Sequence, residues 1–196
     1  MKTNTFNSYI NQPLQNRLYQ ISKSFSGVLS GNHINNLANL VLDQKKRVIG
    51  YIGNSPLDEL KEGRFVDIVQ RPSSTGSLLE PFLYGLKLDS SLITQTTLVQ
   101  EIPRSFGRTS LNQPTSHYGQ SLILGDAEST LFQLSDLYSL MAYQVSNPDG
   151  DTIPEISLHK GQITKQSVGF KMSLGVSFLT IEAMQEFIRP GVEAHW

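Results

Sequence analysis

The residues able to do chemistry in this chain are few and scattered. Four histidines are present, His33, His117, His159 and His195. No two stand at a metal-ligand spacing such as H-x3-H. Asn147, Asp149 and Asp151 put three oxygen ligands at alternate positions, with Glu155 beyond them. That is a fragment of a calcium-loop pattern, with its glycine too early and no glutamate closing the loop. Asn147, Asp149 and Asp151 are therefore the one weak metal candidate, and the same residues read more readily as a turn after a helix. Asp149, Glu155 and Lys160 are spaced too widely for the acid and lysine of a nuclease strand. Ser116 and His117 are sequence neighbours, a poor arrangement for a nucleophile and its base. Neither a nucleophile elbow nor a phosphate-binding glycine loop occurs. The reading is of a protein without a catalytic site, without a cofactor and not an enzyme.

Two basic groups remain. Lys45-Lys46-Arg47 suits a hairpin turn. Arg104 and Arg108 flank Phe106, with Tyr118 nearby, and arginine with aromatics suits a protein interface. The net charge of −1 supplies no basic field, so direct nucleic-acid binding is not expected.

These residues are carried on an uncharged polar chain. Ser, Thr, Asn and Gln fill 60 of 196 positions and charged residues only 17%, against about 25% in ordinary domains. Such a surface is cheaper to bury against copies of itself than a charged one. Cysteine is absent, which excludes a disulfide-stapled scaffold. No leader-like apolar core and no membrane-length apolar run is seen, so no membrane partner is expected.

The length suits one domain, 1–196, with 1–31 as a helical arm. Asn11, Pro13 and the stripe Leu14, Leu18, Ile21, Phe25, Leu29 predict a helix. Ile34, Leu37, Leu40 and Val41 read weakly as a second. Residues 47–53 read as the returning strand of a hairpin around Gln44-Lys45-Lys46. Strands are expected at 64–71, 82–88, 92–102 and 155–160, and a loop at 72–76. Residues 103–120 lack periodicity and read as a long ordered loop. Asp126 opens a helix running to Val145. The clearest alternation spans 168–178, with Val168, Phe170, Met172, Leu174, Val176 and Phe178 on one face and Lys171, Ser173 and Ser177 on the other. Thr180 or Glu182 starts a last helix.

The fold class expected is α+β, mostly antiparallel sheet as a barrel or sandwich, with a packed helix near 126–145 and an N-terminal helix. The function expected is structural: a self-assembling tailed-phage virion component (tail tube, terminator or neck). It would form rings as a homo-oligomer with other parts of the same assembly, built in the host cytoplasm. Arg104, Phe106, Arg108, Tyr118, Lys171, Ser173 and Ser177 would form its interfaces. The alternatives are a small-ligand-binding or lyase-type β-barrel with Phe82, Tyr84 and His159 inside, and an adaptor domain.

Overall fold

A computed structural model describes residues 7–56, 65–89, 128–150, 153–161, 165–166 and 172–186. Helix α1 spans Gln12–Ser30. Asn11 is extended, and its side chain accepts a hydrogen bond from the Leu14 N–H at 3.0 Å, with Pro13 in the first turn. This is the predicted start, satisfying a donor that the helix itself leaves unpaired. The buried face is rotated from the predicted stripe. Ser22 and Ser26 are buried, while Ile21 and Phe25 remain about 45% and 43% exposed.

The reason lies in what α1 packs on. Strands β1 (Asn39–Leu42) and β2 (Val48–Ile52) form an antiparallel hairpin, in register Asn39 with Ile52 and Leu42 with Val48, broken by a bulge after Val41. The hairpin's returning strand and turn were legible in the sequence. The expected helix at 34–41 is instead its first strand. Small side chains let α1 sit close on β2: a Cβ at Gly50 would lie 3.1 Å from Leu18 Cδ2. Polar groups close the contact. Asn39 Nδ2 donates to Ser22 Oγ at 2.9 Å, and Gln15 bonds to both the N–H and the carbonyl of Tyr51 at 2.9 and 2.8 Å. Residues 12–30 thus lie against the hairpin.

A two-residue ribbon pairs β3 (Ser73–Ser74) with β4 (Glu128–Ser129), and another pairs β5 (Ile153–Pro154) with β6 (Lys165–Gln166), both antiparallel. A 3₁₀ turn, Gly76–Leu79, runs directly into α2 (Glu80–Asp89). Helices α3 (Leu131–Ser146) and α4 (Leu174–Glu186) complete the described elements. The core is the meeting of α2, α3 and α4: Leu79, Phe82, Leu86, Leu134, Leu137, Met141, Met172 and Val176.

The molecule is mixed α+β, as expected, but its described strands form two-stranded ribbons and no closed barrel. Two strand assignments fail for one reason. Residues 82–88 are helical, and so are 174–178. Leu79, Phe82 and Leu86 are buried three and four residues apart, the helical repeat. In α4 the buried set is Val176, Ser177 and Thr180. Phe178, assigned inward on the strand, is 52% exposed. Gly85 of α2 lies opposite, where a Cβ would meet Thr180 Oγ1 at 2.9 Å. Of the small residues that looked like the thin face of a wall, Ser173 and Gly175 are exposed and Ser177 is buried against Gln144. Residues 65–71 are turns. The strand expected at 92–102, the loop 103–120, and residues 168–171 lie outside the described residues.

Helix α3 was expected from Asp126, which also lies outside them. The cap is Thr130: its Oγ1 accepts from Gln133 N–H, and the Gln133 side chain accepts from Thr130 N–H, both at 3.0 Å. Thr130→Ala is expected to lower stability by about 1–2 kcal/mol, read as a drop in thermal midpoint, because this reciprocal pair is lost.

Candidate active site

The start of α2 carries a reactive pair on an anchored segment. The β3–β4 ribbon delivers the chain to Thr75, which is 2% exposed. Gly76 follows at φ +51°, a left-handed angle that glycine adopts freely. Ser77 comes next and is exposed; Leu79 and Phe82 plunge into the core; Glu80 emerges again on the surface. Residues three apart on a helical turn lie side by side. A hydroxyl and a carboxylate therefore share one solvent-facing side. The turn is clamped beneath: Tyr138 Oη donates to the Leu78 carbonyl at 2.7 Å, and its ring meets Phe82 edge-on with centroids 4.8 Å apart. Burial pushes the Tyr138 hydroxyl above its ordinary range, so it stays a donor. The far end of α2 is tied as well. Asp89 accepts from Ser173 N–H at 2.7 Å and from Ser173 Oγ at 2.8 Å.

A second polar feature joins the hairpin to α3. Lys46 Nζ lies 2.7 Å from Asp136 Oδ1, with side chains 2% and 9% exposed. Lys46 sits at φ +59° in the turn between β1 and β2. The turn is wound around Asp43, which accepts from Lys45 N–H, Arg47 N–H and Arg47 Nε at 2.9, 2.9 and 2.6 Å. Burial alone would raise the Asp43 carboxyl; the Arg47 and Lys45 hydrogen bonds outweigh it and hold it below the usual carboxylate range. Two clefts adjoin this turn. One of about 420 Å³ is lined by Leu40, Leu42, Tyr138 and Tyr143; the other, of about 470 Å³, by Tyr9, Arg47, Tyr143 and Glu155. Ser77 and Glu80 line neither.

The residues singled out by sequence scatter. Among the described residues no three His, Cys, Asp or Glu side chains gather as a metal site. Asn147 serves the helix end, its Nδ2 donating to the Tyr143 carbonyl and its own carbonyl accepting from Gly150 N–H. Asp149 is an exposed turn residue, and Asp151 lies outside the described set. Ser177, assigned to an intersubunit face, is fully buried and donates to Gln144 Oε1 at 3.0 Å. Ser173 spends its hydroxyl and N–H on Asp89 of the same chain. Arg104, Phe106, Arg108, Tyr118 and Lys171 lie outside the described residues. His159 bridges to Ser8 in extended backbone, and Tyr84 is 47% exposed on α2, so neither lines a barrel.

Sequence reasoning passed over Ser77 and Glu80, treating 72–76 as loop and 82–88 as strand. A signal existed. Leu79, Phe82, Leu83 and Leu86 follow the helical repeat, and a glycine precedes the serine where a chain turns into a helix.

No protein-family model matches the chain. The chain is 35% identical over 107 residues to penicillin-binding protein 1C of Escherichia coli (strain K12). That match covers 54% of this chain but 14% of the relative, so the chain spans only a small part of that protein. Among solved structures it resembles the crystal structure of a peptidoglycan glycosyltransferase from Burkholderia ambifaria. The TM-score is 0.67 at 12% identity, over 94% of this chain and 75% of the other. The likeness is one of fold. These relatives overturn the expectation of a phage virion or tail protein, of a non-enzyme, and of a virion or cytoplasmic location. One is named as a penicillin-binding protein and the other as a peptidoglycan glycosyltransferase, an enzyme acting on the bacterial wall polymer. A polar, charge-poor composition does not by itself say what covers a surface.

Proposed function

We propose that this chain is part of a bacterial cell-wall synthesis protein of the penicillin-binding kind, and that Ser77 is its acyl acceptor. The observation that carries the reading is the placement of Ser77, an exposed hydroxyl on a clamped helical turn. Penicillin-binding proteins attack with the serine of an S-x-x-K pattern, accompanied by S-D-N and K-T-G. The first and fourth residues of that pattern must share a helix face to act together. Ser77-Leu78-Leu79-Glu80 has this placement, with glutamate in the fourth position.

Two competing matches fit less well. Ser157-Leu158-His159-Lys160 matches the letters S-x-x-K but lies on extended backbone, where Ser157 bridges to Arg47 and its Oγ donates to the His159 carbonyl. Ser135-Asp136-Leu137 shares two letters with S-D-N, but Asp136 is paired with buried Lys46.

The step would run as acyl transfer. Ser77 Oγ attacks the carbonyl carbon of an amide or β-lactam; a C–O ester bond forms and the C–N bond breaks. The departing nitrogen takes the proton that the hydroxyl loses. The polymer served is peptidoglycan, so the work would be done on the wall side of the membrane. Among the described residues no helix is long and apolar enough to cross a membrane.

The test is prolonged incubation with a fluorescent penicillin, followed by mass mapping of the labelled peptide. Label is expected on the peptide containing Ser77 and absent from Ser77→Ala at an unchanged melting temperature. Label that persists in Ser77→Ala, or none after hours at saturating probe, would overturn the reading.

A further inference from the structure

We infer that Glu80 makes the Ser77 site discriminate against anionic acyl donors; the inference rests on the acyl-acceptor reading of Ser77. Where the S-x-x-K pattern sets a cation beside the serine, this chain sets a carboxylate on the same face, one turn away. Both side chains are exposed. Glu80 takes part in neither the Lys46–Asp136 nor the Arg47–Asp43 ion pair. Its charge therefore stands beside the hydroxyl without a described counter-cation. A donor carrying its own carboxylate near the reacting carbonyl meets like charge on approach. An uncharged donor of the same shape does not.

Penicillin and its methyl ester make the comparison, since they share the reacting ring and differ by one charge. Their labelling rates at Ser77 are measured for the native chain, Glu80→Gln and Glu80→Lys. Removing the charge in Glu80→Gln is expected to raise the penicillin rate about tenfold, from one unit-charge repulsion at close range in a partly solvated site. The methyl ester rate should hold within about twofold, since the term removed acts only on charge. Glu80→Lys restores the S-x-x-K pattern and is expected to raise both rates, with the penicillin rate rising more than that of the methyl ester, as repulsion becomes attraction. Added salt should narrow the gap between the two probes in the native chain, because exposed charges are screened.

If Ser77 is labelled but the ratio of the two rates is unchanged across variants, the inference fails and the acyl-acceptor reading stands. If Glu80→Gln slows both probes in parallel, Glu80 is a proton acceptor and the inference also fails. If neither probe labels Ser77 in any variant, the acyl-acceptor reading itself fails.

Discussion

Lys46→Met is expected to destabilise the protein by about 3–5 kcal/mol, enough to unfold much of a marginally stable domain. The Lys46–Asp136 pair is nearly sealed from solvent at both ends. Methionine fills the same volume, so the packing loss is small. The loss comes from Asp136, left as a buried carboxylate without its cation on a helix whose neighbours Leu137 and Leu140 are core. Asp136→Leu alone should cost a similar amount by stranding the ammonium. The double variant, Lys46→Met with Asp136→Leu, should recover most of the stability, because removing both charges also removes their desolvation. Urea unfolding of the four proteins gives the coupling energy directly. Strictly additive losses would show that the pair does not join the hairpin to α3.

Gly85→Val is the second large effect, expected at about 3 kcal/mol. Two terms oppose each other. Replacing a helical glycine removes conformational freedom from the unfolded chain and gains up to about 1 kcal/mol in helix preference for alanine, less for valine. Against this, a Cβ at position 85 would overlap Met172 Cε and lie 2.9 Å from Thr180 Oγ1. Met172 and Thr180 are both essentially sealed, at 1% and 0% exposure, so neither has open space to yield into. The clash wins. The flexible methionine is the softer of the two, so adding Met172→Ala to Gly85→Val should restore part of the loss. A melting temperature unchanged by Gly85→Val would mean that α2 and α4 do not pack through this glycine.

Much of the local structure was legible from residues alone. Asn11 and Pro13 start α1 because capping is a short-range matter of one side chain and one N–H. The returning strand β2 follows from its alternation after a charged turn, whereas its partner β1 was expected as a helix. Helix α3 announces itself through a long apolar stripe and a stop at Asn147-Pro148. The choice between strand and helix at 82–88 and 174–178 was not legible. Phe82, Tyr84, Leu86 and Leu88 alternate, while Leu79, Phe82, Leu83 and Leu86 follow the helical repeat, and short apolar runs satisfy both periods. Only the tertiary contact decides: α2 and α4 approach through Gly85 and Thr180, which requires both segments to be helices.

The candidate site depended on the same decision. On a strand, residues 77 and 80 would point to opposite faces, and no reason would exist to consider them together. On a helical turn they become neighbours. The sequence by itself determined that a serine and a glutamate stand three positions apart. The packing of three helices decided that they share a face, because burying Leu79 and Phe82 beneath them leaves Ser77 and Glu80 turned to solvent.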